Sequence, residues 1–208
     1  MTDAEALAAF EQLCQSQRPA STPWQPVTDY SFEARKVIEG PHADLILKTF
    51  SPERILDYGC GQGHLLRLLE ERLQLYQHTF YGYEPSIALL REAQSHVDAF
   101  DLVPPGQFDL VICREVLEHL TVREIRHTVQ ILCEKSSRYV YITARFSESP
   151  AHFLDVQTSD DLDPSHISMV NQSLLRALFV MEGFVRKPHL EQQLDWNHQQ
   201  RVLVYERA

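Results

Sequence analysis

An α/β fold, built on a doubly wound and mostly parallel sheet of seven strands, is what this sequence predicts, and three observations predict it. Strand-like apolar runs alternate with helix-like periodic stretches along 208 residues, a length that suits one domain with a substantial core. The run Arg54-Ile-Leu-Asp-Tyr-Gly-Cys-Gly-Gln-Gly-His64 joins a short apolar strand to a Leu-rich helix through three alternating glycines. A second strand then ends in an acid, Glu84, ahead of Pro85-Ser86 and another helix.

Taken in order, residues 4–17 read as a helix with Leu7, Phe10 and Leu13 on one face, and 18–27, with Pro19, Pro23 and Pro26, as an irregular connection. Residues 31–49 carry helical periodicity and lead into the first strand, 54–57, and a helix from His64 to Leu69 follows the glycines. Further strands are expected at 78–83, which is aromatic and β-branched, and at 96–99, 108–113 and 138–144, with helices between them. After a longer loop, 145–170, comes a helix over 171–182 stopped by Gly183. Strands at 184–192 and 201–206, joined by a short polar connection, read as a hairpin.

Gly59, Gly61 and Gly63 lack the Cβ atoms that would hold a ligand off the backbone, so the loop from Asp57 through Cys60 is suited to a nucleoside-type cofactor. The helix behind it aims free N–H groups and the positive end of its dipole at an anionic group, a phosphate or a carboxylate. One residue between glycines is not the Gly-x-Gly-x-x-Gly of dinucleotide sites, which argues against an NAD-dependent dehydrogenase. Glu84, at the second strand's end, can accept from both hydroxyls of a ribose; a helix-capping or solvated glutamate is the alternative.

Asp57-x-Gly59-x-Gly61-x-Gly63, Glu84, Asp98-Ala99 and Phe108-Asp-Leu-Val-Ile-Cys113-Arg-Glu-Val-Leu-Glu-His119, in that order, resemble the class I S-adenosylmethionine-dependent methyltransferases over residues 30–208. The resemblance implies a Rossmann-like sheet with a reversed C-terminal strand, a methyltransferase domain at 30–208, and an N-terminal helix and connection at 1–29. It also implies S-adenosyl-L-methionine as cofactor, with Asp57, Gly59, Cys60, Gly61, Gly63 and Glu84 around it. Asp98 and Ala99 would hold the adenine, with Asp98 a loop acid otherwise. Cys113 and Arg114 would form the back wall. Asp57 would take loop amides or the cofactor's amino end, and Tyr30 and Arg35 would close over its carboxylate, with packing the alternative for Tyr30.

Glu115, Glu118 and His119 have the spacing of one helix face, so two carboxylates and an imidazole make a half-site for Mg²⁺ or Mn²⁺. His166, in Asp163-Pro-Ser-His166, supplies a fourth ligand. Glu-x-x-Glu-His with a distant His resembles metal-dependent O-methyltransferases of ubiquinone biosynthesis and small-RNA 3′-terminal 2′-O-methyltransferases. Such a metal would lower the pKa of the accepting hydroxyl. Without it, His166 or His119 is the candidate general base. Bracing of the helix by the glutamates and packing of the histidine is the bland alternative. In the 145–170 loop, Arg145 is a candidate for a substrate carboxylate or phosphate, with His152, Asp155, Asp160, Asp161 and Asp163 alongside; Asp160 and Asp161 read better as solvated acids.

Composition narrows the partners. A content of 44% hydrophobic and 23% charged residues is that of a globular protein, not a disordered one. The net charge of −10, with Lys and Arg scattered, disfavours nucleic acid tracts and anionic membranes. Cys14, Cys60, Cys113 and Cys133 form no Cys-x-x-Cys pair, so free thiols are expected, and an acidic N-terminus with no long apolar run reads as cytoplasmic. The expected activity is O-methylation of a small molecule such as a sugar or secondary metabolite. An RNA 3′ end and a non-catalytic, cofactor-binding regulatory partner are the alternatives, and the N-terminal helix is a candidate lid, dimer surface or cap.

Overall fold

The computed structural model describes residues 8, 31–73, 79–147, 154–155, 165–195 and 200–208. Apart from Ala8, the expected N-terminal helix and connection lie outside the described residues, as do Tyr30, His152, Asp160, Asp161 and Asp163.

Helix α1, Phe32–Phe50, begins at Ser31, whose hydroxyl accepts from the Ala34 amide, and ends at Ser51 in the left-handed region with φ 44°. It runs through Pro41, which has no N–H to donate to the Val37 carbonyl one turn earlier, at a position where Val37 is exposed. Strand β1, Ile55–Tyr58, leads through the glycine loop into α2, His64–Leu73. Then follow β2, Phe80–Tyr83, α3, Ile87–Ala93, the short β3, Ala99–Phe100, and β4, Phe108–Arg114. One 3-10 turn, Leu117–His119, precedes α4, Val122–Lys135, which starts in a reciprocal capping box between Thr121 and Glu124. Strand β5 is Ser136–Thr143.

The residues expected as a long loop hold β6, Phe146–Ser147, β7, Leu154–Asp155, and β8, Met169–Asn171, which form a separate three-stranded sheet in the order β6-β8-β7. Helix α5, Gln172–Met181, is capped by Asn171 and followed by β9, Phe184–Arg186. The strand expected over 184–192 stops there, because Pro188 fits the first position of a helix and α6, Pro188–Leu194, takes over. Helix α6 thus stands where the second half of that strand and the start of the connection after it were expected. Strand β10, Val202–Arg207, closes the chain.

The main sheet has seven strands in the order β3-β2-β1-β4-β5-β10-β9, parallel except for β10, which runs antiparallel to both neighbours. The doubly wound, Rossmann-like fold with a reversed C-terminal strand is therefore present. Alternate β4 residues serve opposite cores: Val111 and Cys113 pack with α4 and α5, whereas Leu110 and Ile112 pack with α1 and α2. Sheet order reverses direction about β1 and β4, and the carboxyl ends of those two strands bound the crevice where such sheets bind ligands. Cys60, Cys113 and Cys133 are buried free thiols, and among the described residues no helix is long and apolar enough to cross a membrane.

Candidate active site

The glycine loop is pinned to the end of β2. The amides of Gly59 and Cys60 donate to the Tyr83 carbonyl at 2.8 and 3.0 Å, and that of Gly61 donates to Glu84 Oε2 at 2.9 Å. Glu84 Oε1 accepts from Ser86 N at 2.8 Å, so the carboxylate is fixed by two amides with lone pairs to spare. Glu84 is buried, and burial raises its pKa while the Ser86 and Gly61 amides oppose the rise.

All three loop glycines have positive φ, 79°, 56° and 76°, but their surroundings differ. A Cβ on Gly59 would lie 2.5 Å from Val116 Cγ2, and one on Gly63 would lie 2.7 Å from Val97 Cγ2. A Cβ on Gly61 would meet nothing within 4 Å. Gly59 and Gly63 are thus small for packing, while Gly61 faces open space at the loop's tip. Gly82, which sequence reasoning passed over, belongs to the same assembly: a Cβ there would sit 2.6 Å from the Cys60 thiol.

Asp57, on β1 beneath the loop, is buried, and its carboxyl is pushed up to about 7 by burial, with Arg114 opposing and Glu84 adding. The Gly61 amide goes to Glu84 and not to Asp57. Strand β3 begins later than expected. Its Ala99 and Phe100 pair with Gly82 and Tyr83, so the half-buried Asp98 precedes the strand instead of ending it, and Ala99 is buried. The acid just past its end, level with Glu84, is the exposed Asp101.

The Cys113 side chain, expected at the cofactor's back wall, is buried in the core and cannot line a cofactor site. It points into the core against α4, and burial, with Glu118 next, holds its thiol far above the ordinary value. Arg114 turns instead toward α1, where its Nη1 lies 3.4 Å from Glu39 Oε2, and Arg35 pairs with the same carboxylate. Together these residues line a cleft of about 290 Å³ with Ile38, His42, Glu115, Tyr141, Thr143, Leu194, Arg201 and Val202. At its floor the Tyr141 hydroxyl and His42 Nε2 are 2.5 Å apart; burial and then Arg114 lower the His42 pKa to about 3, so the imidazole is neutral. Arg145 lies past β5 and does not line this cleft, whereas Arg201, at the start of β10, does.

The expected helix face carrying Glu115, Glu118 and His119 does not form. Glu115 has φ 50° at the end of β4, and only the next residues make a single 3-10 turn. The four proposed ligands come as two pairs. The Glu115 carboxylate is the charge that, after burial, most raises the pKa of Glu118, whose carboxyl is almost wholly buried. His119 and His166 meet edge to face with ring centroids 4.7 Å apart and an interplanar angle of 60°, and His119 Nδ1 is 2.8 Å from Ser165 Oγ. Among the described residues no three His, Cys, Asp or Glu side chains are grouped to hold a metal ion, so the Glu115, Glu118, His119 and His166 set does not fit one. The amides of Ile167 and Ser168 donate to the Glu118 carbonyl, which fastens the His166 segment to the 3-10 turn that follows β4.

Comparison with known proteins adds to this geometry. The family described as a methyltransferase domain matches residues 32–185. No curated protein matches the chain in sequence. Among solved structures, magnesium protoporphyrin IX methyltransferase from Synechocystis PCC 6803 is 15% identical with a TM-score of 0.60, over 100% of this chain and 99% of that one. The O-methyltransferase of a trans-AT polyketide multienzyme from Brevibacillus brevis is 16% identical with a TM-score of 0.58, over 80% and 61%. The methyltransferase domain of bacterial CtHen1-C is 16% identical with a TM-score of 0.57, over 81% and 99%.

Proposed function

Because the chain belongs to the class I methyltransferase-domain family, we propose that it transfers the methyl group of S-adenosyl-L-methionine to a hydroxyl of a small molecule. The observation that carries the reading is the loop anchored to Glu84, with Gly61 opening on empty space at the switch point of the sheet. The Synechocystis protein was crystallised with the methyl donor, and the Brevibacillus O-methyltransferase with S-adenosylhomocysteine, the donor after it has lost the methyl group.

In this reading the remaining lone pairs of Glu84 accept the ribose hydroxyls, Asp57 faces the donor's amino group, and Asp98 or Asp101 accepts from the adenine amine. The cleft beside Arg114 receives the acceptor. The acceptor oxygen takes the methyl carbon as its bond to sulfur breaks, leaving a thioether, and the hydroxyl proton passes to a base. His119 and His166, fastened beside Glu118, are the candidate bases; neither lines the cleft, so they serve an acceptor that extends past Glu115 toward the turn at Leu117–His119. The donor's sulfonium is already activated, so the protein's task is alignment of the acceptor and removal of one proton.

The test is transfer of labelled methyl from S-adenosyl-L-methionine to a panel of hydroxylated small molecules and a short RNA with a free 3′ end, with chelator or with Mg²⁺ or Mn²⁺. Label recovered in a base-stable ether of a small molecule supports the reading. Label at the RNA 3′ ribose selects the alternative acceptor, and label as a base-labile ester or on nitrogen contradicts hydroxyl methylation. Donor binding without any transfer to the panel favours the regulatory alternative.

A further inference from the structure

The cleft is a neighbour of the glycine loop. Glu115 lines it, and Val116, the next residue, is the side chain against which Gly59 packs. A ligand beside Glu115 would be one residue from the side chain that packs against the loop read as the donor site. Its charge runs against that of the whole chain: three arginines, Arg35, Arg114 and Arg201, face two glutamates, while the protein as a whole carries −10.

The internal pairs leave donors unused. Glu39 is shared between Arg35 and Arg114, and its contact with Arg114 is long, at 3.4 Å. Arg201 is 3.9 Å from Glu115, beyond hydrogen-bond reach. Arg114 Nε and Thr143 Oγ1 are buried with no hydrogen-bond partner. A buried, unpaired guanidinium donor is costly to a fold and is repaid when an oxyanion arrives.

We propose that the methyl acceptor carries an anionic oxygen group, a carboxylate or a phosphate, seated between Arg114 and Arg201 with the Thr143 hydroxyl donating to it. The assignment to the acceptor rests on the methyltransferase reading; the assignment of an oxyanion site to the cleft does not. A guanidinium fork on each side suits a planar or tetrahedral oxyanion, and about 290 Å³ suits a small metabolite.

Calorimetric titration of benzoate, inorganic phosphate and neutral benzamide tests this, with and without saturating S-adenosylhomocysteine, on the wild-type chain and on Arg201→Gln and Arg114→Lys. The expected result is saturable binding of at least one anion, silence from benzamide, and a loss of about tenfold or more in Arg201→Gln, equivalent to about 1.4 kcal/mol. Benzoate binding alone assigns a carboxylate and phosphate binding alone a phosphoryl group. Absence of anion binding to the wild type, equal binding of benzamide, or unchanged anion affinity in both variants overturns the proposal. S-adenosylhomocysteine affinity should be the same in Arg201→Gln as in the wild type. Loss of that binding in the wild type itself would defeat the donor reading, while the anion titrations into the unliganded chain would still decide the cleft.

Discussion

Gly61→Ala separates a glycine kept for a ligand from a glycine kept for the fold. With φ 56° the backbone is in the left-handed region, where a Cβ costs roughly 1–2 kcal/mol, and the new methyl meets no atom within 4 Å, so no overpacking is added. In a domain of this size each kcal/mol lowers Tm by about 2–4 °C, so a fall of roughly 2–8 °C is expected. Gly183→Ala is the matched control: φ is 80°, again nothing lies within 4 Å, and the residue follows α5 away from the loop. It should lose the same stability. Gly63→Ala should lose more, since its Cβ would stand 2.7 Å from Val97 Cγ2 and 3.3 Å from Ala93 Cβ, adding about 1–3 kcal/mol of overpacking. Thermal unfolding gives the three stabilities, and calorimetric titration of S-adenosylhomocysteine gives the affinities. Gly61→Ala should weaken binding tenfold or more, with Gly183→Ala unchanged. Equal affinity in Gly61→Ala and Gly183→Ala would refute the claim that the open space over Gly61 is the donor's.

Asp57 has a folded pKa of about 7 against an ordinary 3.8, so between those values the folded state holds the extra proton and stability falls as pH rises. Asp57→Asn should remove that slope, stabilising the unliganded protein at pH 8 by up to about 4 kcal/mol, with little change near pH 4, while weakening cofactor binding; no pH-dependent gain in Tm would contradict the burial argument. His42 acts in the opposite sense. Its folded pKa of about 3 lies below 6.5, so its contribution is lost as pH falls through that window, and His42→Gln should flatten the acid limb of the Tm profile. Glu191 accepts from Arg186 Nε and Nη2, both at 2.8 Å, and from the Val204 amide at 3.1 Å. Glu191→Ala strands that buried amide and should cost about 2–4 kcal/mol in urea unfolding, and a loss under 0.5 kcal/mol would show the pair to be incidental. His166→Ala should reduce kcat at least tenfold with S-adenosylhomocysteine affinity kept, whereas loss of both together would make His166 structural.

The fold was legible where local pattern and tertiary need agree. The apolar runs at β1, β4 and β5, the glycine loop and the Gly183 stop all fell within a few residues of the observed elements, because burial on both faces demands continuous apolar strands. Strands β6, β7 and β8 were missed, since two or three residues carry no readable period. The helix α6 was missed although Pro188 signalled it, as strand propensity in Phe-Val-Arg was extended past the proline. The Glu115, Glu118 and His119 grouping assumed a helix where one left-handed residue ends a strand, and spacing alone has no sign for that. Asp98 was placed by counting from a strand whose pairing with β2 starts later. The cleft had a signal that went unused: Arg35, Glu39 and His42 stand at i, i+4 and i+7 of α1, three polar residues on one face where Glu39 and His42 are buried.

The central claim is that the loop from Asp57 to Gly63 and Glu84 form a donor site, and calorimetric titration of S-adenosylhomocysteine into the wild-type protein and Glu84→Ala tests it most directly. A saturable one-to-one isotherm in the wild type, weakened tenfold or more in Glu84→Ala, is the predicted result. No binding to the wild type, or equal binding to both proteins, would contradict it.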